Sequence, residues 1–93
     1  MERIEQMRQA QKLARKLERV CDVGDLYAWF EGTHIDTTDD GATVIFGDCP
    51  WTELEFDAKN GEAFIYVGRF GKARVPKRAM YELGEFFSAL HNC

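Results

Sequence analysis

The sequence of 93 residues lacks the segments that mark a membrane or secreted protein. No apolar run approaches the roughly 18 residues of a membrane span, and the start MERIEQMRQAQ has no apolar segment of the signal-peptide kind. We therefore expect a cytoplasmic protein. With only two prolines and 45% hydrophobic residues, the composition is that of a folded chain rather than a disordered one. The length predicts one domain over residues 1–93.

Cysteine is scarce, and Cys21, Cys49 and Cys93 form no C-x-x-C pair. An odd number without that spacing disfavours both a disulfide framework and a zinc knuckle, so reduced thiols are expected. Single ligands scattered along a chain, such as His34 and His91, are far more often surface or core residues than metal ligands. We expect no metal and no cofactor.

Catalytic signatures are missing as well. There is no G-x-S-x-G, and GRFGKAR lacks the G-K-[ST] ending of a phosphate-binding loop. Glu53 and Glu55 resemble the paired carboxylates of glycosidases, but a chain this small offers no evident cleft to separate their pKa values. A Cys49–His34 nucleophile pair is left open by the sequence, although Cys49 before Pro50 is better explained as a loop thiol. These observations favour a protein that is not an enzyme.

The stretch HIDTTDDGATVIFGD places oxygen side chains at Asp36, Thr38 and Asp40, in the manner of a calcium-binding loop. Such a loop needs a bidentate carboxylate at its twelfth position, which here is Gly47. It also needs an exiting helix, whereas ATVIFG has the composition of a strand. The DDG tripeptide is therefore predicted to be a hairpin turn in which Gly41 accepts a positive φ.

Helical periodicity marks both ends of the chain. Between Glu2 and Cys21 apolar residues recur every three or four positions, which predicts a helix that Gly24 ends. Its apolar side comprises Met7, Ala10, Leu13, Ala14, Leu17, Val20 and Cys21. Pro76 suits the first position of a closing helix, where its missing N–H costs nothing. The apolar face of that helix comprises Ala79, Met80, Leu83, Phe86, Phe87 and Leu90.

The centre of the chain has strand character. DLYAWFEG is ambiguous between a strand and a short helix that Asp25 caps and Gly32 ends; we favour the helix. Three or four strands follow, near 33–37, 43–46, 51–57 and 62–70. Asn60-Gly61 is the strongest hairpin signal between them. The sequence thus predicts an α+β fold of order α-β-β-β(-β)-α, an antiparallel meander with both helices on one face of the sheet.

Alternation along WTELEFD divides its side chains between two faces. Thr52, Leu54 and Phe56 belong to the core, whereas the other face carries Trp51, Glu53, Glu55 and Asp57. EAFIYVGRF is apolar on both faces, so its register depends on the length of the AKNG turn. We favour the register that sets Phe64 and Tyr66 beside Glu53 and Glu55, because Leu54 and Phe56 then pack with Ile65 and Val67 beneath the helices.

Charge is segregated along the chain. Residues 1–21 carry six bases against three acids, residues 22–62 carry eleven acids against Lys59 alone, and residues 69–78 carry five bases and no acid. A dense acidic face with aromatic anchors suits a partner protein whose surface is basic because it binds nucleic acid. The expected partner-binding residues are Trp51, Glu53, Glu55, Asp57, Phe64, Tyr66, Asp36, Asp39 and Asp40.

In size and charge the chain is similar to phage-encoded inhibitors of host defence complexes, anti-CRISPR proteins among them. The resemblance involves no motif and identifies no family. It implies a protein-binding inhibitor or adaptor, with no membrane and no small-molecule substrate. The same face has a plainer explanation, in which a second copy of the chain or the DLYAWF segment covers it.

A nucleic-acid-binding module is the alternative function. One side of the first helix and the Arg69 to Arg78 segment carry the bases that would contact phosphates. These residues are Arg8, Lys12, Arg15 and Arg19, with Arg69, Lys72 and Arg74. The net charge of −4 and the lack of a helix-turn-helix or RNA-recognition signature make this class the second choice.

Overall fold

A computed structural model of the protein describes residues 3–47 and 51–92. Within them lie three α-helices and one antiparallel sheet of five strands in the order β1-β2-β3-β4-β5. The elements are α1 (Arg3–Leu17), α2 (Val23–Trp29), β1 (His34–Thr38), β2 (Gly41–Ile45), β3 (Thr52–Asp57), β4 (Glu62–Val67), β5 (Gly71–Arg74), a 3₁₀ turn (Lys77–Ala79) and α3 (Met80–His91). The predicted α+β fold, with its helices packed on the sheet, is confirmed.

The predicted strand over 62–70 is in fact two strands. β4 ends at Val67, where Gly68 takes a φ of 64° and turns the chain. After a three-residue loop, Gly71 pairs back with Val67 and begins β5. The described sheet therefore has one strand more than the sequence predicts, because a positive φ at glycine reverses the chain where an unbroken strand was expected.

The first helix is shorter than predicted. It ends at Leu17, after which the amides of Glu18, Arg19 and Val20 donate to carbonyls three residues back and tighten the chain into a 3₁₀-like turn. Gly24, the predicted end, lies inside α2. Since Cys21 falls beyond the helix, it is exposed rather than on the apolar side, and Met7 is exposed too.

The short second helix is confirmed, but its cap is Asp22 rather than Asp25. The Asp22 carboxylate accepts a hydrogen bond from the Asp25 N–H at 3.0 Å, and the Asp25 carboxylate accepts one from the Cys21 N–H at 2.7 Å. This reciprocal arrangement satisfies two amides at the start of α2. The helix ends at Trp29, and Gly32, with a φ of 77°, leads the chain into β1.

The predicted Asp39-Asp40 turn is present and joins β1 to β2. The prediction that Gly41 takes a positive φ is wrong, because in the described residues positive φ occurs only at Gly32, Gly61 and Gly68. Glycine is needed at position 41 for a different reason. A Cβ there would overlap the carbonyl oxygen of Phe56 on the neighbouring strand β3.

The β3–β4 register is the predicted one, with Glu53 opposite Tyr66 and Glu55 opposite Phe64. The connecting loop covers four residues, 58–61, and its end is fixed by a φ of 65° at Gly61. At its start the Asp57 carboxylate accepts hydrogen bonds from the Asn60 N–H, the Asn60 side-chain amide and the Lys59 N–H.

The hydrogen bond from the Asn60 N–H is the largest cause that lowers the pKa of Asp57 below its ordinary value of 3.8, followed by the bond from the Asn60 side chain. A carboxyl group whose pKa is depressed on folding stabilises the folded state above its unfolded pKa. That stabilisation is lost as the pH falls through the folded-state value. The turn is therefore held by an ionised Asp57 at neutral pH.

The core lies in one layer between the sheet and the helices. Leu54 and Ile65 of the central strands are fully buried against Leu83 and Phe86 of α3 and Leu17 of α1. α1 packs on β4 and β5, whereas α3 packs on β1 and on α2. The rings of Phe30, Phe56, Phe86 and Phe87 form a cluster in this layer. No helix in the described part of the chain is long and apolar enough to cross a membrane.

Candidate functional site on the outer face of the sheet

The outer face is the side of the sheet that points away from the core. The register aligns its residues in two rows across the strands. These rows are His34, Ile45, Glu53, Tyr66 and Lys72, and Asp36, Thr43, Glu55, Phe64 and Arg74. All described helices pack on the opposite face. Cover by the DLYAWF segment is therefore wrong, since Tyr27 of α2 packs edge-on against Phe86 of α3 instead.

The acidic column of this face runs along β3 and consists of Glu53, Glu55 and Asp57. Glu55 is exposed and the other two are partly exposed. Among the described residues, neither Glu53 nor Glu55 forms an ion pair, so their charges are not neutralised within the chain. Asp57 is engaged by the turn that follows it. The column thus has two carboxylates without an ion-pair partner, Glu53 and Glu55, and one, Asp57, that is hydrogen-bonded within the turn.

The other predicted acidic residues lie around this column rather than in it. Asp36 shares the outer face, on β1, and its carboxylate is 3.1 Å from His34 Nε2. Asp39 and Asp40 are exposed at the tip of the β1–β2 hairpin. Asp39 points to α3, where its carboxylate is 3.0 Å from His91 Nε2. The sequence groups all three with the acidic column; in the structure Asp36 lies two strands away from it, across Thr43 of β2, and Asp40 lies at its Asp57 end, where the Asp40 carbonyl accepts a hydrogen bond from the Ala58 N–H.

The aromatic column consists of Phe64 and Tyr66 on β4, both partly buried. Two basic residues of β5 lie over them. Lys72 Nζ is 4.6 Å from the Phe64 ring centroid and 5.7 Å from that of Tyr66, and Arg74 Cζ is 5.8 Å from the Phe64 ring centroid. Contacts of this kind between an ammonium group and a ring are attractive. Trp51, which directly precedes β3, is 51% exposed. The aromatic residues are therefore bordered by acids on one side and by bases on the other.

The basic column of the outer face, Lys72 and Arg74, was assigned by sequence to a separate nucleic-acid-binding surface. The structure puts both residues on the same face as the acids, and Arg74 pairs with Glu62. The signal that would have found them is the alternation of GKAR once that segment is recognised as a strand. Treating residues 62–70 as one strand concealed it.

The remaining predicted bases lie elsewhere. Arg8, Lys12 and Arg15 are exposed on α1, and Arg19 is exposed just beyond its end. At the other end of α1, the guanidinium groups of Arg3 and Arg69 lie 5.5 and 5.9 Å from the ring centroid of Phe70, which is half exposed. The side-chain oxygen of Gln6 accepts a hydrogen bond from the Phe70 N–H at 3.2 Å and ties the β4–β5 turn to α1.

The structure also bears on metal and thiol chemistry. Across residues 3–47 and 51–92, no three His, Cys, Asp or Glu side chains come together as a group that could hold a metal ion. Cys49, of the Cys49–His34 pair, and Cys93 lie outside the described residues.

A cavity of about 240 Å³ lies on the core side of the sheet between Leu13, Trp29 and Phe46. It is smaller than the roughly 300–1,000 Å³ of most ligand sites.

Comparison of the chain with protein families, with curated proteins and with solved structures gives no match.

Proposed function

We propose that the protein is a small protein-binding inhibitor or adaptor, without enzymatic activity, that acts in the cytoplasm on a basic, nucleic-acid-binding partner. The observation that carries the proposal is the acidic column. Glu53 and Glu55 project from an uncovered sheet face and have no cationic partner in the described chain. Free carboxylates of this kind attract a basic surface and accelerate its encounter with the protein.

The spacing of the carboxylates supports mimicry of nucleic acid. Alternate residues of a strand are about 6.7 Å apart, so Glu53, Glu55 and Asp57 form a regular row of negative charge. Neighbouring phosphates of one nucleic-acid strand lie at a similar distance. Trp51, at the head of this row, supplies an exposed ring of the type enriched at interface hot spots. Inhibition of a host defence complex by a phage-encoded, anti-CRISPR-type protein is a role that this surface suits.

The proposal is tested by affinity capture from lysate of the native host, followed by mass spectrometry. We expect the wild-type chain to retain a nucleic-acid-binding protein, and the Glu53→Lys, Glu55→Lys double variant to lose it. The matched control is Glu82→Lys with Glu85→Lys, which changes the net charge equally on α3, away from the outer face. Equal capture by all three proteins would show that the acidic column is only a solvated surface.

One observation favours the alternative, nucleic-acid binding. Phe70 is half exposed between Arg3 and Arg69 at the N-terminal end of α1, the helix that also carries Arg8, Lys12 and Arg15 further along its length. An aromatic ring for base stacking beside cations for phosphates is typical of single-strand binding sites. Two basic residues that are far apart in the sequence, Arg3 of α1 and Arg69 of the β4–β5 turn, thus lie on the same ring.

A mobility-shift assay with DNA and RNA separates the two functions. If the acidic column carries the function, the purified protein gives no shift at about 100 mM salt, where phosphate contacts still bind measurably. A salt-sensitive shift that Arg15→Ala with Arg19→Ala abolishes would support the alternative. Lys72→Ala with Arg74→Ala removes the same charge from the outer face and is the control.

A further inference from the structure

The outer face has an internal order that neither function requires. Each row across β3, β4 and β5 reads acid, aromatic, base. The first row is Glu53, Tyr66 and Lys72, and the second row is Glu55, Phe64 and Arg74. Since neighbouring strands lie about 4.8 Å apart, the acidic and basic columns are about 10 Å apart with the rings between them.

Such an order is self-complementary under one particular symmetry. Consider two outer faces that meet about a two-fold axis lying between them and parallel to β4. The rotation then places β3 of each copy opposite β5 of the other, and β4 opposite β4. The acidic column of one copy then faces the basic column of the other, and the aromatic columns face each other. A two-fold axis perpendicular to the strands would instead place acid on acid. A closed dimer requires this kind of self-complementary patch.

We propose that a second copy of this chain packs on the outer face, with Glu53 and Glu55 of one copy opposite Lys72 and Arg74 of the other. Two sheets packed this way lie about 10 Å apart with their strands within about 30° of each other. The Lys72 ammonium group, which lies above the aromatic column in the single chain, has to turn outward over β5 to make this contact, because two such groups would otherwise meet at the two-fold axis.

The two rows contribute unequally to the proposed dimer contact. Lys72 forms no ion pair within the described chain, whereas Arg74 is already paired with Glu62. Glu53 and Lys72 are therefore the pair that gains most from a second copy. Because the two-fold axis repeats each contact, one substitution changes two contacts in the dimer.

The extent of the face sets the strength of the association. Only β3, β4 and β5 of each copy overlap about this axis, and three strands of this length present a surface of roughly 240 Å² per copy, or about 480 Å² in total. Stable complexes usually bury about 1,200 Å² or more. We therefore expect a concentration-dependent, salt-sensitive dimer whose dissociation constant lies between the micromolar range and about 1 mM. The dimer would cover Glu53 and Glu55, the carboxylates on which the proposed function depends. A basic partner would therefore have to displace the second copy.

Sedimentation velocity on the purified chain alone tests the dimer, and its result does not depend on whether any partner exists. The wild-type sedimentation coefficient should rise with concentration at about 50 mM salt, and this rise should weaken at about 500 mM salt. A wild-type chain that stays monomeric at about 1 mM in low salt overturns the proposal, whatever the variants do.

Charge reversal identifies the pairing. Glu53→Lys alone sets lysine against Lys72, and Lys72→Glu alone sets glutamate against Glu53, so each variant should associate at least about tenfold more weakly than wild type. An equal mixture of the two variants restores every opposite pair and should dimerise again. Melting curves show whether each variant is folded. The control is Glu82→Lys on α3, which changes the net charge as Glu53→Lys does and should leave dimerisation unchanged. Unchanged association of the single variants, or no recovery in the mixture, would refute this pairing.

Discussion

Leu54→Ala should lower the free energy of unfolding by about 2–5 kcal/mol, because it leaves a cavity in the centre of the core. Leu54 is fully buried, and its strand neighbour Ile65 is buried beside it beneath the helices. A chain of this size has a total stability of about 5–15 kcal/mol, so the loss is a large part of the whole. Denaturant unfolding monitored by circular dichroism measures it.

The control for Leu54→Ala is Tyr66→Ala, one position along the adjacent strand but on the outer face. Its ring is partly exposed and contacts Lys72, so its removal should cost only about 1 kcal/mol of stability. If Tyr66 contributes to a partner interface, the same variant loses about 2 kcal/mol or more in binding. Equal destabilisation by the two variants would place Tyr66 in the core and reverse the two faces.

The second large effect is expected from Gly71→Ala, at the start of β5. A Cβ at this position would overlap the backbone of Gln6 on α1 and the carbonyl oxygen of Val67. Backbone atoms cannot move aside as a flexible side chain can, so α1 has to shift away from the sheet. We expect a loss of about 1–3 kcal/mol, measured by the same denaturant unfolding.

A glycine in a different environment provides the control. Gly84 lies inside α3, and a Cβ there would meet its nearest neighbour, Phe56 Cζ, at 3.8 Å, an ordinary contact distance. Alanine is the better helix former, so Gly84→Ala should stabilise the protein by about 0.5–1 kcal/mol. If Gly71→Ala also left stability unchanged or raised it, the close approach of α1 to β5 would be contradicted.

The sequence was informative where local patterns decide the structure. The alternation of WTELEFD placed Leu54 inside and Glu53 outside. The preference for a continuous core then selected the β3–β4 register that the structure has. The apolar spacing of the closing helix likewise identified Leu83 and Phe86, both of which are buried. In these segments, the period of the side chains is enough to predict which face is covered.

The sequence was less informative where contacts join distant segments. The need for glycine at position 71 comes from Gln6, and the need at position 41 comes from Phe56. The mixed character of the outer face arises because β5 follows a glycine turn and brings Lys72 beside Tyr66. No local pattern contains these relations, since they exist only once the strands have paired.

The close contact between α1 and β5 also has a consequence for the order of folding. Each described strand pairs with its neighbour along the chain, so the hairpins close short loops and form quickly. In contrast, the Gln6–Phe70 hydrogen bond joins residues 64 positions apart. During synthesis at about 5–20 residues per second, several seconds pass between the appearance of α1 and that of β5. Until β4 and β5 have been made, the apolar side of α1 has no sheet to cover it.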